Sequence, residues 1–177
     1  MAITRRFHRF RQTTREEFSI CTAPLLALPE VQKLEECAHH VNYTRLNHSL
    51  DVAYLSFCIA KLTGCDAVSC ARGGLLHDMF YRDDAKGKKL VQMKNHPKEA
   101  LENAKAVCSL NPIEEDIILK HMWLINSDLP KYKESFIVTF VDKACAVRER
   151  IFGMSKRRIN TRRRRLAAVL QVTQIMP

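Results

Sequence analysis

The stretch Arg72–Asp84, RGGLLHDMFYRDD, decides how this chain is read. Its apolar residues, with Asp66 upstream as a good N-cap, predict a helix, yet His77 and Asp78 stand side by side in the middle of it. A core-facing helix is expected to carry aliphatic residues there. An imidazole beside a carboxylate needs a reason, and the reason must lie in other residues that converge on the pair.

Outward from that stretch the sequence reads as helix after helix. Pro29-Glu30 opens a helix through about His40, and Leu46 to Leu62 forms another, ended by Gly64 as a C-cap. The polar segment DDAKGKKLVQMKN reads as a loop, and Pro97 as the first turn of a helix to about Cys108. Asn111-Pro112 repeats that start signal, with Glu114, Glu115 and Asp116 at the positive end of the helix dipole and the helix passing His121 to about Ile125. Pro130 breaks the chain before a long helix from about Lys133 to Ile151, and a last basic helix is expected over 156–172. No segment shows the two-residue alternation of a half-buried strand. The expected fold class is all-α, a bundle of about six to eight helices.

A chain of 177 residues fits one domain and buries enough surface to fold without staples. Seven cysteines (Cys21, Cys37, Cys58, Cys65, Cys70, Cys108, Cys145) are odd in number, scattered, and form no CxxC pair. That pattern suits reduced thiols in a cytoplasmic protein rather than a disulfide frame or a zinc knuckle. The apolar run FSICTAPLLAL follows arginines, but Glu16, Glu17 and Pro24 interrupt the pattern, so it is weak as a targeting peptide and too short to span a membrane.

The formal charge of +10 is unevenly spread. Residues 1–15 carry five arginines and no acid, and 155–177 carry Lys156, Arg157, Arg158 and Arg162 to Arg165, again with no acid. The body, 16–154, is −2. The chain therefore divides into a basic N-terminal segment (1–28), a near-neutral helical body (29–153) and a basic tail (154–177). Such ends suit weak binding to nucleic acid or an anionic surface; a solvated tail that aids solubility is the plainer reading.

On these helices, ionisable residues recur where burial is expected. His48 shares a stripe with Val52, Leu55, Ile59 and Leu62; His121 lies on the face of Ile117, Leu124 and Ile125; Asp142 follows Val138 and precedes Cys145 at helical spacing. His96 stands at a loop-to-helix junction. A buried lone carboxylate is costly unless it pairs or meets a cation. Each residue alone has an ordinary structural explanation, but the set His48, His77-Asp78, His96, His121 and Asp142 offers the nitrogens and oxygens that suit divalent transition metals.

The ordered pattern H…HD…H…H…D resembles the HD-domain superfamily of metal-dependent phosphohydrolases. The motifs are TRLNHSLDVA around His48, ARGGLLHDMF around His77-Asp78, NHPKEALENA around His96, ILKHMW around His121 and FIVTFVDKACAVRER around Asp142. The layout is similar to bacterial HD proteins that include the YqeK-like dinucleoside tetraphosphate hydrolases. The resemblance implies that His48, His77, Asp78 and Asp142 hold one metal. It further implies that His96 and His121 complete a second site, with Asp78 as the bridging ligand. Two divalent ions are expected, iron or manganese first, with zinc, magnesium, nickel or cobalt as alternatives. The implied chemistry is hydrolysis of a phosphoester or phosphoanhydride in a nucleotide or small phosphorylated metabolite by a metal-bound hydroxide, which Asp78 would orient.

Substrate-binding expectations are looser. Lys86, Lys88, Lys89 and Lys94 lie between Asp78 and His96 and are candidates for holding phosphate, against a solvated charge run. Arg148 lies six residues after Asp142, about 240° around the helix, and need not face the metals. Arg72 is as readily a structural partner, and His39 and His40 as readily solvent-exposed or capping. Gly73 and Gly74 read as points of close helix packing or plain flexibility. Two other function classes use parts of the same sequence: an HD-type di-iron oxygenase acting on a phosphonate or polyol, and a nucleic-acid-binding protein acting through KRRINTRRRR.

Overall fold

Residues 2–40, 43–81 and 89–152 are described by the structure, a computed structural model, with side chains described for 13–37, 43–81 and 94–151. Among them eight α-helices follow in order: α1 (Ala2–Leu26), α2 (Pro29–Gln32), α3 (Arg45–Thr63), α4 (Ala67–Leu76), α5 (Lys89–Val107), α6 (Pro112–Lys120), α7 (Trp123–Asn126) and α8 (Lys133–Phe152). The fold is all-α, with one small antiparallel ribbon, β1 (Ala38–His40) and β2 (Tyr43–Thr44), between α2 and α3. The helix expected over 156–172 lies outside the described residues.

Local chemistry starts most of these elements where the sequence places them. Thr44 caps α3 by accepting from the Asn47 amide at 3.2 Å. Asp66 caps α4, accepting from the amide and hydroxyl of Ser69 at 3.0 and 2.7 Å. Asn111 and Glu114 form a reciprocal capping box at the start of α6. Gly64 ends α3 in the left-handed conformation, φ 72°, which a residue without Cβ adopts at no steric cost.

Four expectations need correction. The helix from Pro29 stops at Gln32, because a 3-10 turn (Lys33–Glu35) drops Leu34 into the core and Cys37 O accepts from Arg45 N at 2.8 Å, pulling the chain into the ribbon. His77 and Asp78 do not interrupt α4; they follow its last residue, with His77 as C-cap and Met79 N closing a tight turn on Leu76 O at 3.1 Å. His96 is not at a loop junction: α5 already starts at Lys89, Pro97 lies inside it, and Asn126 Nδ2 donates to Lys94 O at 3.1 Å in the turn ahead of that proline. The helix expected from Pro112 to Ile125 breaks after Lys120, so His121 becomes its C-cap.

The face of α3 also differs from expectation. His48 and Val52 are buried, but Leu55, Ile59 and Leu62 are exposed, Leu62 at 75%. The buried side is made instead of small residues, Ser49, Ala53, Ser56 and Ala60, together with Leu46 and Phe57. Small residues allow close approach, and α4 uses it. A Cβ on Gly74 would stand 3.0 Å from Ala53 Cα and 3.3 Å from its backbone nitrogen, and one on Gly73 would stand 2.9 Å from Ile117. The two glycines therefore wedge α4 between α3 and α6, which is the packing role the sequence suggested.

Phe18, Leu25 and Leu26 of α1 join Leu34, Leu46, Phe57, Leu75 and Leu76 in the main core. A second cluster joins Val52, Ala60, Cys70, Ile117, Val138 and Cys145 beneath α8. Asp116, buried in α6, accepts from Ser135 Oγ at 2.6 Å and Lys131 N at 2.9 Å, fixing the start of α8. All seven cysteines are free thiols. No helix among the described residues is long and apolar enough to cross a membrane.

Candidate metal centre

Five elements deliver ionisable side chains to one buried locus. The first turn of α3 supplies His48, the end of α4 supplies His77 and Asp78, α5 supplies His96, the end of α6 supplies His121, and α8 supplies Asp142. Because α4 and α6 both stop at a histidine, the side chains of His77 and His121 emerge at helix ends, where no further turn covers them.

Backbone carbonyls fix both of those imidazoles. His77 Nδ1 donates to Gly74 O at 2.8 Å, and His121 Nδ1 donates to Ile118 O at 2.8 Å. With the proton placed on Nδ1, each Nε2 presents a lone pair toward the cluster. His77 Nε2 is fully buried and has no hydrogen-bond partner, standing 3.7 Å from Asp78 Oδ2 and 3.8 Å from Asp142 Oδ1. Buried polar atoms are rarely left orphaned. A lone pair aimed at two carboxylates is the arrangement a cation would satisfy, so the residues fit a metal.

Asp78 faces two ways. Oδ2 points toward His77, while Oδ1 lies 3.3 Å from His96 Nε2 and 3.5 Å from His121 Nε2. Two groups with metal-ligand spacing result, His48/His77/Asp78 and Asp78/His96/His121, each with its donor atoms within 4.8 Å of one another. Asp78 is common to both.

His48 is held at both ring nitrogens. Nε2 lies 3.0 Å from Asp142 Oδ1, and Nδ1 lies 3.0 and 3.1 Å from the two oxygens of Glu149. Asp142 also accepts from Lys143 Nζ at 2.7 Å through its other oxygen.

Burial and charge pull the protonation states apart. Burial alone would depress His48, but the Asp142 and Glu149 carboxylates more than offset it and raise its pKa to about 10. His121 has only Asp78 in its favour; burial, with His96 and His77 nearby, lowers it to about 4. Burial would raise Asp78, yet His77, His121 and His96 hold it well below the usual carboxylate range. Asp142 is likewise held low by His48, His77 and Lys143 against its burial.

The substrate-binding candidates are less gathered. Arg72 is engaged structurally: Nε bonds Glu114 Oε1 at 2.5 Å and NH2 donates to Ser109 O at 3.0 Å. Arg148 donates to Asp51 Oδ2 at 2.5 Å, tying α8 to α3. Lys94 is exposed. Lys86, Lys88 and the basic tail lie outside the described residues, as do the side chains of His39, His40 and Lys89. Two residues at the cluster were not singled out by the sequence, Glu149 and Lys143. A helical spacing of seven from Asp142 to Glu149 is the one signal that could have found the former.

A family model of the HD domain matches residues 45–147, spanning all six ionisable residues of the cluster. The chain belongs to the HD-domain family. Membership places it in a superfamily of metal-dependent hydrolase type, in keeping with a His/Asp cluster spaced to hold metal. No curated protein and no solved structure matches the chain.

Proposed function

We propose that this HD domain is a metal-dependent phosphohydrolase, cleaving a phosphoester or phosphoanhydride in a nucleotide or small phosphorylated metabolite. The observation that carries the reading is Asp78, whose two oxygens face two separate histidine sets. His48, His77, Asp78 and Asp142 would hold one divalent transition-metal ion, and Asp78, His96 and His121 a second. Such a pair supplies an acidified water and charge neutralisation for in-line attack on phosphorus.

The chain's own groups account for the rest. Asp78 and Asp142 stay ionised far below neutral pH, so both act as acceptors and ligands without a proton to lose. The Gly74 and Ile118 carbonyls keep His77 and His121 in the tautomer that points Nε2 inward. Lys143, one-third exposed and bonded to Asp142, places a cation at the edge of the cluster where a phosphoryl oxygen would arrive. In the net reaction water adds to phosphorus, the bond from phosphorus to the leaving oxygen breaks, and that oxygen leaves protonated.

The test is phosphate release from nucleotides and simple phosphoesters by the full chain purified without chelator, with Asp78→Asn as control. Release that needs metal and Asp78 is the expected result. Oxygen uptake on phosphonates or polyols without phosphate release would replace the hydrolase with the oxygenase chemistry the same donors can serve.

A further inference from the structure

The side chain that stands out after the ligands are assigned is Glu149. It is fully buried, 1% exposed as a residue, and lies beyond the segment matched by the family model. A buried carboxylate is costly unless it is paired. Both its oxygens are turned to one atom, His48 Nδ1, at 3.0 and 3.1 Å. Its other charged neighbour is Arg148 NH2, at 4.0 Å, and that group is already donating to Asp51 at 2.5 Å.

We infer that Glu149 is the positioning residue of the metal site at His48. Resting on the metal-centre reading above, it fixes His48 as the Nδ1–H tautomer, orients the ring so that Nε2 faces Asp142 and Asp78, and makes that nitrogen a stronger donor. The three inward-facing histidines with described Nδ1 contacts are thus anchored differently. His77 and His121 donate to neutral carbonyls of their own helices, and only His48 donates to a carboxylate. The difference has a structural origin. His48 sits in the first turn of α3, where it has no exposed helix-end carbonyl behind it, whereas His77 and His121 each cap a helix and find one three residues back. Glu149 fills that role from α8, two turns beyond Asp142, so one helix grips both nitrogens of the same ring.

An outer carboxylate on a metal-bound histidine is worth about 10- to 100-fold in metal affinity. The loss on removing Glu149 is therefore concentrated on the ion held by His48, His77, Asp78 and Asp142, while the ion at His96 and His121 is disturbed less. An amide at 149 keeps an oxygen to accept from Nδ1–H but lacks the charge, so it restores orientation without the full donor strength.

The experiment compares the unaltered full chain with Glu149→Ala and Glu149→Gln, titrating each with cobalt(II) against a competing chelator. Thermal unfolding without metal establishes that each variant is folded. The expected result is weaker binding of one of two cobalt ions, about 10- to 100-fold in Glu149→Ala and intermediate in Glu149→Gln, with the visible cobalt bands of that site altered. Folded variants that bind both ions with unaltered affinity and spectrum overturn the proposal and leave Glu149 a structural residue. If the unaltered chain itself binds no metal, the metal centre falls and this inference with it.

Discussion

The Nε2 atoms of His96 and His121 stand 2.8 Å apart, brought together from the interior of α5 and the end of α6. Since His121 Nδ1 already donates to Ile118 O, its Nε2 is an acceptor, and the shared proton belongs to His96. Two nitrogens at that distance with Asp78 Oδ1 at 3.3 and 3.5 Å form a pocket that a divalent ion would take over by displacing one proton. The expected outcome for His96→Ala is one bound metal ion against two expected for the unaltered chain, with phosphate release down roughly 100-fold. Asp78→Asn, which weakens both groups, should lose both ions. Elemental analysis of the purified variants checks this; two ions retained in His96→Ala would remove His96 from the ligand set.

Proton release on metal binding gives a second prediction. In the metal-free protein the His48 pKa is raised from 6.5 to about 10, so at neutral pH Nε2 carries a proton. An ion entering there must displace it, whereas His121, lowered to about 4, is already deprotonated. Affinity for the ion at His48 should rise about tenfold per pH unit through the neutral range and level off near the His48 pKa. The sign reverses for the metal-free fold. A raised pKa means that the stability contributed by this ion pair is complete below 6.5 and lost as pH rises through about 10. Calorimetric titration in buffers of different ionisation enthalpy counts the protons, and a pH-independent affinity would contradict the assignment.

Much of the fold and the residues that gather at the cluster could be read from the sequence, and the misses have physical causes. The caps Asp66, Asn111 and Gly64 act locally, so their helix boundaries were legible. The ends of α4 and α6 were not, because LLHDMF and LKHMWL contain no glycine or proline, the residues that mark a helix end locally. The start of α5 was hidden for the converse reason, since KKLVQMKN is polar enough to pass for a loop. On α3 the long aliphatic residues misled the reading: close packing against Gly74 selects the small side, and Leu62 is left outside. Glu149 was missed because it lies in VRERIF, a run of charges that reads as a solvated helix face.

Gly73 and Gly74 should both resist a side chain, but only Gly74 should couple packing to the metal centre. An alanine at Gly74 meets Ala53 Cα at 3.0 Å, and one at Gly73 meets Ile117, with Cβ at 3.0 Å and two further side-chain carbons at 2.9 Å, so neither contact is cleared by side-chain rotation alone. Gly74→Ala is expected to cost about 1–3 kcal/mol and to weaken metal binding as well, since the Gly74 carbonyl anchors His77. Gly73→Ala should cost a similar amount of stability and leave metal affinity near that of the unaltered chain. Chemical denaturation with metal titration separates the two, and equal loss of metal in both would show that α4 shifts as one rigid piece.

Lys143 provides the prediction closest to substrate. Its ammonium bonds Asp142 Oδ2 at 2.7 Å and approaches Met122 Sδ at 2.9 Å, with the side chain one-third exposed. Asp142 is already matched to His48 through its other oxygen, so the lysine is the lesser of its partners. It can lean toward an incoming anion at little cost. A hydrogen bond to a charged group contributes about 1.5–3 kcal/mol, so Lys143→Ala should raise KM for a phosphorylated substrate roughly 10- to 100-fold while both metal ions stay bound. Lys143→Arg, which keeps the charge on a different fork, should recover part of that loss. If Lys143→Ala instead loses metal with KM unchanged for the remaining active fraction, the lysine serves Asp142 and not the substrate.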